Sequence, residues 1–172
     1  IYRASAFGKI SIMFPMITDV EEVQNIKTII NYVQTELEQQ GIPFDKKVEL
    51  GIMIETPASV MVSDLLAKEV DFFSVGTNDL TQYTLAVDRQ NPKLERYYRP
   101  HHVGLLRMLK IAADNIHKND GWIGIFGELA ADTHLTQFFL AIGFDELSVA
   151  PRAIYPVREK VRSLAITALK DT

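Results

Sequence analysis

The chain has no cysteine among its 172 residues. That excludes disulfides, thiolate metal sites and a cysteine nucleophile, and it fits a reducing compartment. It also lacks a basic surplus: 18 Lys and Arg stand against 22 Asp and Glu, for a net charge of -4. A nucleic-acid partner is therefore not expected. No apolar run approaches the length of a membrane span, and no signal peptide is visible, so no membrane insertion is expected. The Gly-x-Gly-x-x-Gly dinucleotide signature is missing, and no internal repeat, low-complexity tract or linker stands out. The first residue is Ile1, not Met, and the chain is expected to be cut from something longer.

What is present suits a globular domain. Hydrophobic residues make up 47% and charged residues 23%, enough to bury a core within a single unit over residues 1–172. Lys9 to Phe14 reads as a strand ended by Pro15. Thr18-Asp19-Val20-Glu21 reads as a capping box with Thr18 at the cap. It opens a helix whose apolar positions are Val20, Val23, Ile26, Ile29, Ile30, Val33 and Leu37, stopped by Gly41-Ile42-Pro43. Val48 to Ile54 is a second strand. Pro57 starts a helix carrying Val60, Met61, Leu65 and Leu66. Val70 to Val75 is a third strand, and Asn91 to Pro100 an irregular excursion. Val103 to His117 is helical, Trp122 to Phe126 a strand, and Leu135 to Ile142 a helix stopped by Gly143. Glu146 to Ala150 is a last strand, followed by a helix with Val157, Val161, Leu164 and Leu169.

Strands without polar alternation, separated by amphipathic helices, imply a parallel sheet covered by helices. An open doubly wound sheet and a (β/α)8 barrel compete. Polar residues at several strand ends favour the barrel. The fold expected is α/β, a partial (β/α)8 TIM barrel comprising roughly the last five β/α units.

Two strands run into acids. Leu50 to Ile54 leads into Glu55-Thr56-Pro57, and Val70 to Val75 into Gly76-Thr77-Asn78-Asp79. A carboxylate pair on adjacent strand ends is what Mg²⁺ takes, with waters and substrate oxygens completing its shell. The plainer reading is that Glu55 caps a helix and Asn78-Asp79 is a turn. Thr77, Asn78 and the Gly76 backbone can hold an anion or simply turn the chain. Arg89 can grip a phosphate or pair with Asp88 or Glu95 at the surface. Glu128 follows a strand, as a base or as a helix cap. His101, His102, His117 and His134 have no carboxylate at dyad spacing. Tyr83, Tyr97 and Tyr98 read as core edge or subunit contact.

At Arg3-Ala4-Ser5-Ala6-Phe7-Gly8, Ile12 to Ile17, Gly51 to Ala58, Asp71 to Arg89 and Gly127-Glu128-Leu129-Ala130, the chain resembles a known family. It is the C-terminal, phosphoenolpyruvate-binding barrel of phosphoenolpyruvate-protein phosphotransferase, Enzyme I of the bacterial sugar phosphotransferase system. The resemblance covers essentially the whole chain, and the Asp71 to Arg89 stretch is specific to it. It implies a cytoplasmic transferase in which Mg²⁺, held at the positions of Glu55 and Asp79, binds phosphoenolpyruvate, while Asn78 and Arg89 contact the phosphate. The phosphoryl group passes to a histidine on a separate N-terminal domain and on to a phosphocarrier protein. The parent is expected to be a homodimer.

The chain departs from that pattern. The family's proton-donor cysteine precedes Gly-Glu-Leu-Ala, where this chain has Phe126. Phenylalanine carries no proton to give, so this catalytic position is chemically lost. None of the four histidines lies in the family's acceptor motif, Arg3 matches no family ligand, and the upstream strands with further arginines are missing. The isolated chain is expected to be inactive in transfer to the carrier. Two alternatives remain: a non-catalytic phosphoenolpyruvate-binding or regulatory module, and a relative of pyruvate phosphate dikinase, of phosphoenolpyruvate synthase or of a Mg²⁺-dependent aldolase. Two open sheet edges are expected to cause self-association or poor stability.

Overall fold

Strand order decides between the two architectures. In the computed structural model, which describes residues 1–164, five parallel strands lie in the sequential order β1-β2-β3-β4-β5. They are β1 (Ser11–Phe14), β2 (Glu49–Ile54), β3 (Phe72–Gly76), β4 (Trp122–Phe126) and β5 (Glu146–Ser148). A doubly wound sheet reverses its order at a switch point; this one never does, as in a segment of a barrel. The sheet does not close: β1 and β5 are its two edges.

The helices are α1 (Tyr2–Ser5), α2 (Val20–Gln39), α3 (Pro57–Met61), α4 (Ser63–Leu66), α5 (Thr77–Leu85), α6 (Val103–His117), α7 (Thr136–Ala141) and α8 (Ile154–Ser163). They bury one face of the sheet. Ile52, Ile54, Phe73, Val75, Ile123 and Ile125 join a single cluster with Val60, Leu66, Leu105, Leu109, Ile116 and Phe139. In α6, Leu105, Leu109, Ala112, Ala113 and Ile116 are fully buried, an inward stripe at helical spacing. Each large side chain of that kind contributes about 1.5–3 kcal/mol on burial. The opposite face carries Met13, Gly51, Phe72 and Trp122 in one row, with the Phe72 and Trp122 rings stacked at 4.4 Å. A one-sided helical layer is the second mark of a barrel wall.

Several local expectations shift. The cap of α2 is Asp19, with Glu22 as its reciprocal partner, one position beyond Thr18 and Glu21. Glu22 wins because its Oε2 takes the amides of both Thr18 and Asp19. Ile29 lies on the exposed side of α2. The helix begun at Pro57 breaks at Val62, whose φ of -108° and ψ of 16° separate α3 from α4. Met61 and Leu65 are consequently exposed rather than core. The third strand starts at Phe72, because Asp71 turns back to bond Leu50. The excursion after Asn91 contains a 3-10 turn, Pro92–Tyr97. Gly143 ends α7 with φ +92°, while the apolar position Leu169 lies outside the described residues.

Candidate functional site

In a parallel sheet all strands deliver their C-terminal ends to one rim, where barrel sites form. Glu55 follows β2 directly. Ile54 is in register with Val75, and Gly76 with Phe126 and Ser148, so Glu55, Gly76, Phe126 and Ser148 form the last row of the open face. Glu55 is 3% exposed. It caps no helix, since Thr56 takes that place at α3; its Oε1 instead accepts the Met16 N–H at 2.7 Å. Burial pushes the Glu55 carboxyl above its ordinary value; the Met16 amide opposes this, Asp79 adds to it and Arg89 opposes it. A nearly dry acid beside a second carboxylate is an arrangement that favours a cation.

Gly76 makes room for Glu55. A Cβ there would stand 2.8 Å from Glu55 Oε2 and 2.8 Å from Met53 Cε. The chain then enters α5 without interruption, so Asn78-Asp79 is the first turn of a helix and not an isolated turn. The period that would mark α5 is obscured by its polar face, Asn78, Asp79, Gln82 and Tyr83, which explains why it is not legible as an element. Asp79 lies where a carboxylate complements the helix dipole. Ala86 closes α5 in the left-handed region, φ 52°, and the Val87 N–H reaches back to Gln82 O. Arg89 is then anchored by its own amide to Gln82 Oε1 at 3.1 Å. Its guanidinium Nη1 lies 3.0 Å from Asp79 Oδ1. The expected surface partners, Asp88 and Glu95, are not used.

The loop after β4 locks onto the same spot. Thr77 Oγ1 donates to Phe126 O at 3.1 Å. Gly127, at φ +112°, leaves space that a Cβ would fill 2.9 Å from Thr77 Oγ1 and 3.5 Å from Asn78 Oδ1. Phe126, half-buried, therefore stands across Gly76 from Glu55. Glu128 is exposed and caps nothing through its side chain. Tyr98 proves to be part of this neighbourhood: its hydroxyl donates to Asn78 O at 3.4 Å. Burial raises its phenol, a hydrogen bond to Thr81 and the Arg89 charge oppose that, and Glu128 and Asp79 add to it. Tyr83 and Tyr97 are exposed.

Two His–carboxylate pairs appear that spacing did not reveal. His101 Nε2 lies 2.7 Å from Asp132 Oδ2, and His117 Nε2 lies 3.1 Å from Asp145 Oδ2. Their partners are far apart in sequence, so only the fold joins them. Burial acts to raise Asp132, but the His134 amide and His101 leave it net below its ordinary value. His102 caps α6 through Nδ1. Arg3 sits by a cleft with Phe7, Ile42 and Pro43, on segments that precede β1 and β2 and so at the other end of the strands. A hidden repeat also emerges. Asp71-x-x-Ser74-Val75 and Asp145-x-x-Ser148-Val149 each open a strand, and each aspartate takes the amide of the preceding strand, Leu50 or Ile123, at 2.8 or 2.9 Å.

Among the described residues no group of three or more His, Asp or Glu gathers at metal distance. Two carboxylates with oxygen donors only, beside a space that only glycine leaves open, fit a hard divalent cation such as Mg²⁺, which keeps water and ligand oxygens. They do not suit a site built wholly of protein ligands. No helix among the described residues is long and apolar enough to cross a membrane.

Fold and site together define a piece of a parallel β/α barrel with an acid–guanidinium site on its C-terminal rim. Comparison with known proteins agrees on the fold and shows the family. The family described as PEP-utilising enzyme, PEP-binding domain, matches residues 1–166, and the chain belongs to it. It is 46% identical over 170 residues to the phosphoenolpyruvate-protein phosphotransferase of Buchnera aphidicola subsp. Acyrthosiphon pisum, covering 99% of this chain and 30% of the relative. It is 44% identical over 164 residues to that of Haemophilus influenzae, covering 95% of this chain and 28% of the relative. The chain thus spans under a third of these relatives. Among solved structures, a citrate lyase from Burkholderia xenovorans superposes with a TM-score of 0.63 at 16% identity, over 92% of this chain and 51% of that one. An HpcH/HpaI aldolase/citrate lyase family protein from Burkholderia cenocepacia gives 0.60 at 15%, over 89% and 65%. At such identity these likenesses speak for the fold alone.

Proposed function

We propose that this chain is part of an enzyme that transfers the phosphoryl group of phosphoenolpyruvate to a protein histidine, and from there to a phosphocarrier protein, in cytoplasmic sugar uptake. The observation that carries this reading is the meeting of buried Glu55 with the Asp79–Arg89 pair at the C-terminal ends of β2 and β3. The relatives' name and the family's PEP-binding description supply the substrate. Glu55 and Asp79 would hold Mg²⁺, which when bound supplies positive charge for the phosphate and carboxylate oxygens of the ligand. Arg89 orients the phosphate through its planar fork, and Asn78 adds a neutral donor beside it. Thr77 ties the turn after β4 to the start of α5, and Gly127 leaves the Asn78 side chain unobstructed. Transfer to histidine breaks the phosphate's bond to the enol oxygen and forms a phosphorus–nitrogen bond, leaving an enolate that must gain a proton at carbon.

Phe126 sits where that proton would be given and has none. The isolated chain accordingly binds without turning over; the acceptor histidine belongs to the remainder of the parent, a homodimer, and the carrier is a separate protein. The half-buried Phe126 ring on the same row as Glu55 is the specific observation favouring a second reading, a non-catalytic phosphoenolpyruvate-binding module. Calorimetric titration of phosphoenolpyruvate, with and without Mg²⁺, tests the binding common to both. Mg²⁺-dependent binding supports it; no binding to folded protein in either condition sinks it. Phe126→Cys in the full-length parent separates the two, since pyruvate release rising with that substitution supports the enzyme reading. A parent with Phe126 that already releases pyruvate at the rate of the Cys variant would show the proton comes from elsewhere.

A further inference from the structure

We propose that the main chain of Met16 is the positioning element for Glu55, so that the backbone conformation at residue 16, and not its side chain, sets the affinity of the site. This rests on the phosphoenolpyruvate and divalent-cation reading above.

The Met16 N–H reaches Glu55 Oε1 at 2.7 Å, at the short end for an amide and a carboxylate. To aim that N–H, Met16 takes φ +58°. A non-glycine residue there is disfavoured by about 1–2 kcal/mol, and such conformations persist only where the surroundings over-determine them. The surroundings do so here. Ile17, 4% exposed, is inserted in the main core, and its carbonyl accepts Thr56 Oγ1–H at 3.1 Å. The loop after β1 is thus stapled twice to consecutive residues after β2: amide 16 to Glu55 and carbonyl 17 to Thr56. The Met16 side chain, by contrast, is 45% exposed, and neither core cluster includes it.

The consequence is a division of labour within one carboxylate. Oε1 is committed to the amide. Oε2 is the oxygen beside Gly76, 2.8 Å from where a Cβ would stand, on the row that also holds Phe126. The amide therefore determines which oxygen is presented to a ligand.

The chain has five methionines, so ¹⁵N-methionine labelling yields a resolvable set of amide signals. The Met16 amide proton is expected far downfield, and Glu55→Gln should move it more than any other. Calorimetry of phosphoenolpyruvate in Mg²⁺, with melting curves alongside, then compares Met16→Gly and Met16→Val. Glycine adopts positive φ freely and should keep the affinity within about twofold, whereas β-branched valine resists it by enough to lose about tenfold. Met16→Ala should fall between them and replaces the valine variant if that one does not fold. Equal losses for Gly and Val would assign the role to the side chain and overturn the proposal. So would unchanged affinity in all variants with only the melting temperature moving. If the unsubstituted chain binds no phosphoenolpyruvate, the underlying reading fails, and the Met16 amide still decides the positioning: an amide unmoved by Glu55→Gln refutes it.

Discussion

Asp79 Oδ1 and Arg89 Nη1 lie 3.0 Å apart, joined across a left-handed turn at Ala86. The group proposed for a cation and the group proposed for a phosphate neutralise each other in the free protein. Under the proposed function, a ligand carrying both charges would replace this pair with two new ones, a cation at the carboxylate and phosphate at the guanidinium. The pair would then be a placeholder and not a stability element.

Arg89→Ala follows from that. Both side chains are about a third exposed, so the lost pair should cost under about 1 kcal/mol, a few degrees of melting temperature at most. Phosphoenolpyruvate affinity should fall by about tenfold or more, the worth of a charge-assisted bond. Arg89→Lys should recover only part of it, because a point charge lacks the fork. Titration calorimetry beside thermal melts checks both numbers.

Glu55→Gln predicts a pH signature. Burial raises the Glu55 carboxyl above its ordinary 4.5, so the folded state holds its proton longer than the unfolded one. Such a group leaves stability untouched below that value and lowers it as pH rises past it. In the absence of divalent cation, Glu55→Gln should melt higher than the parent near pH 7 and equally near pH 4. Melting curves with chelator across that span test it, and a gap that widens toward acid would reverse the sign.

Gly76→Ala tests the cradle. A Cβ at 2.8 Å from both Glu55 Oε2 and Met53 Cε forces one of them aside. Over-packing of this kind costs about 1–3 kcal/mol, and where Glu55 gives way it moves the carboxylate oxygen proposed to face the ligand. Both the melting temperature and Mg²⁺-dependent binding should drop clearly, in contrast to Arg89→Ala, where the loss is mainly in binding.

Asp145→Ala should do the opposite. Its carboxylate takes the Ile123 N–H and His117 Nε2 at the start of β5, at the end of the sheet away from the rim. Removing it strands a strand amide at a cost of about 1–3 kcal/mol. Binding should be unchanged in protein that remains folded, as measured by calorimetry below the melting transition. Asp71→Ala, at the matching position of β3, should behave alike.

The open edges β1 and β5 predict association. Sedimentation should show concentration-dependent self-association or a weak, early melt. A monodisperse monomer with a cooperative transition would contradict this.

Much of the site was legible in the residues because a parallel strand that empties into polar groups announces its C-terminal end. Glu55, Asp79 and Phe126 stand directly after or at the ends of apolar runs, and the structure aligns them on one rim. The bland readings fell for a spatial reason: Thr56, one residue on, already caps α3, which frees Glu55, and the Ala86 turn sends Arg89 to Asp79 instead of to its neighbours. The place of Tyr98 beside Asn78 is not legible in the sequence because it depends on where the excursion folds back. The pairs of His101 and His117 are not legible because their aspartates arrive from later segments.

The sequence by itself determined the alternation of strand and helix, the apolar stripe of α6, the end of β4 at Phe126 and the kinship carried by Asp71 to Arg89. These depend on local periodicity and on short-range chemistry. The tertiary structure alone decided that the strands run in unbroken order and that Met16 holds Glu55. It also decided that the start of α5 and the turn after β4 interlock at Thr77 and Gly127. Register and long-range hydrogen bonds join residues far apart in the chain, and no window of local sequence contains both partners.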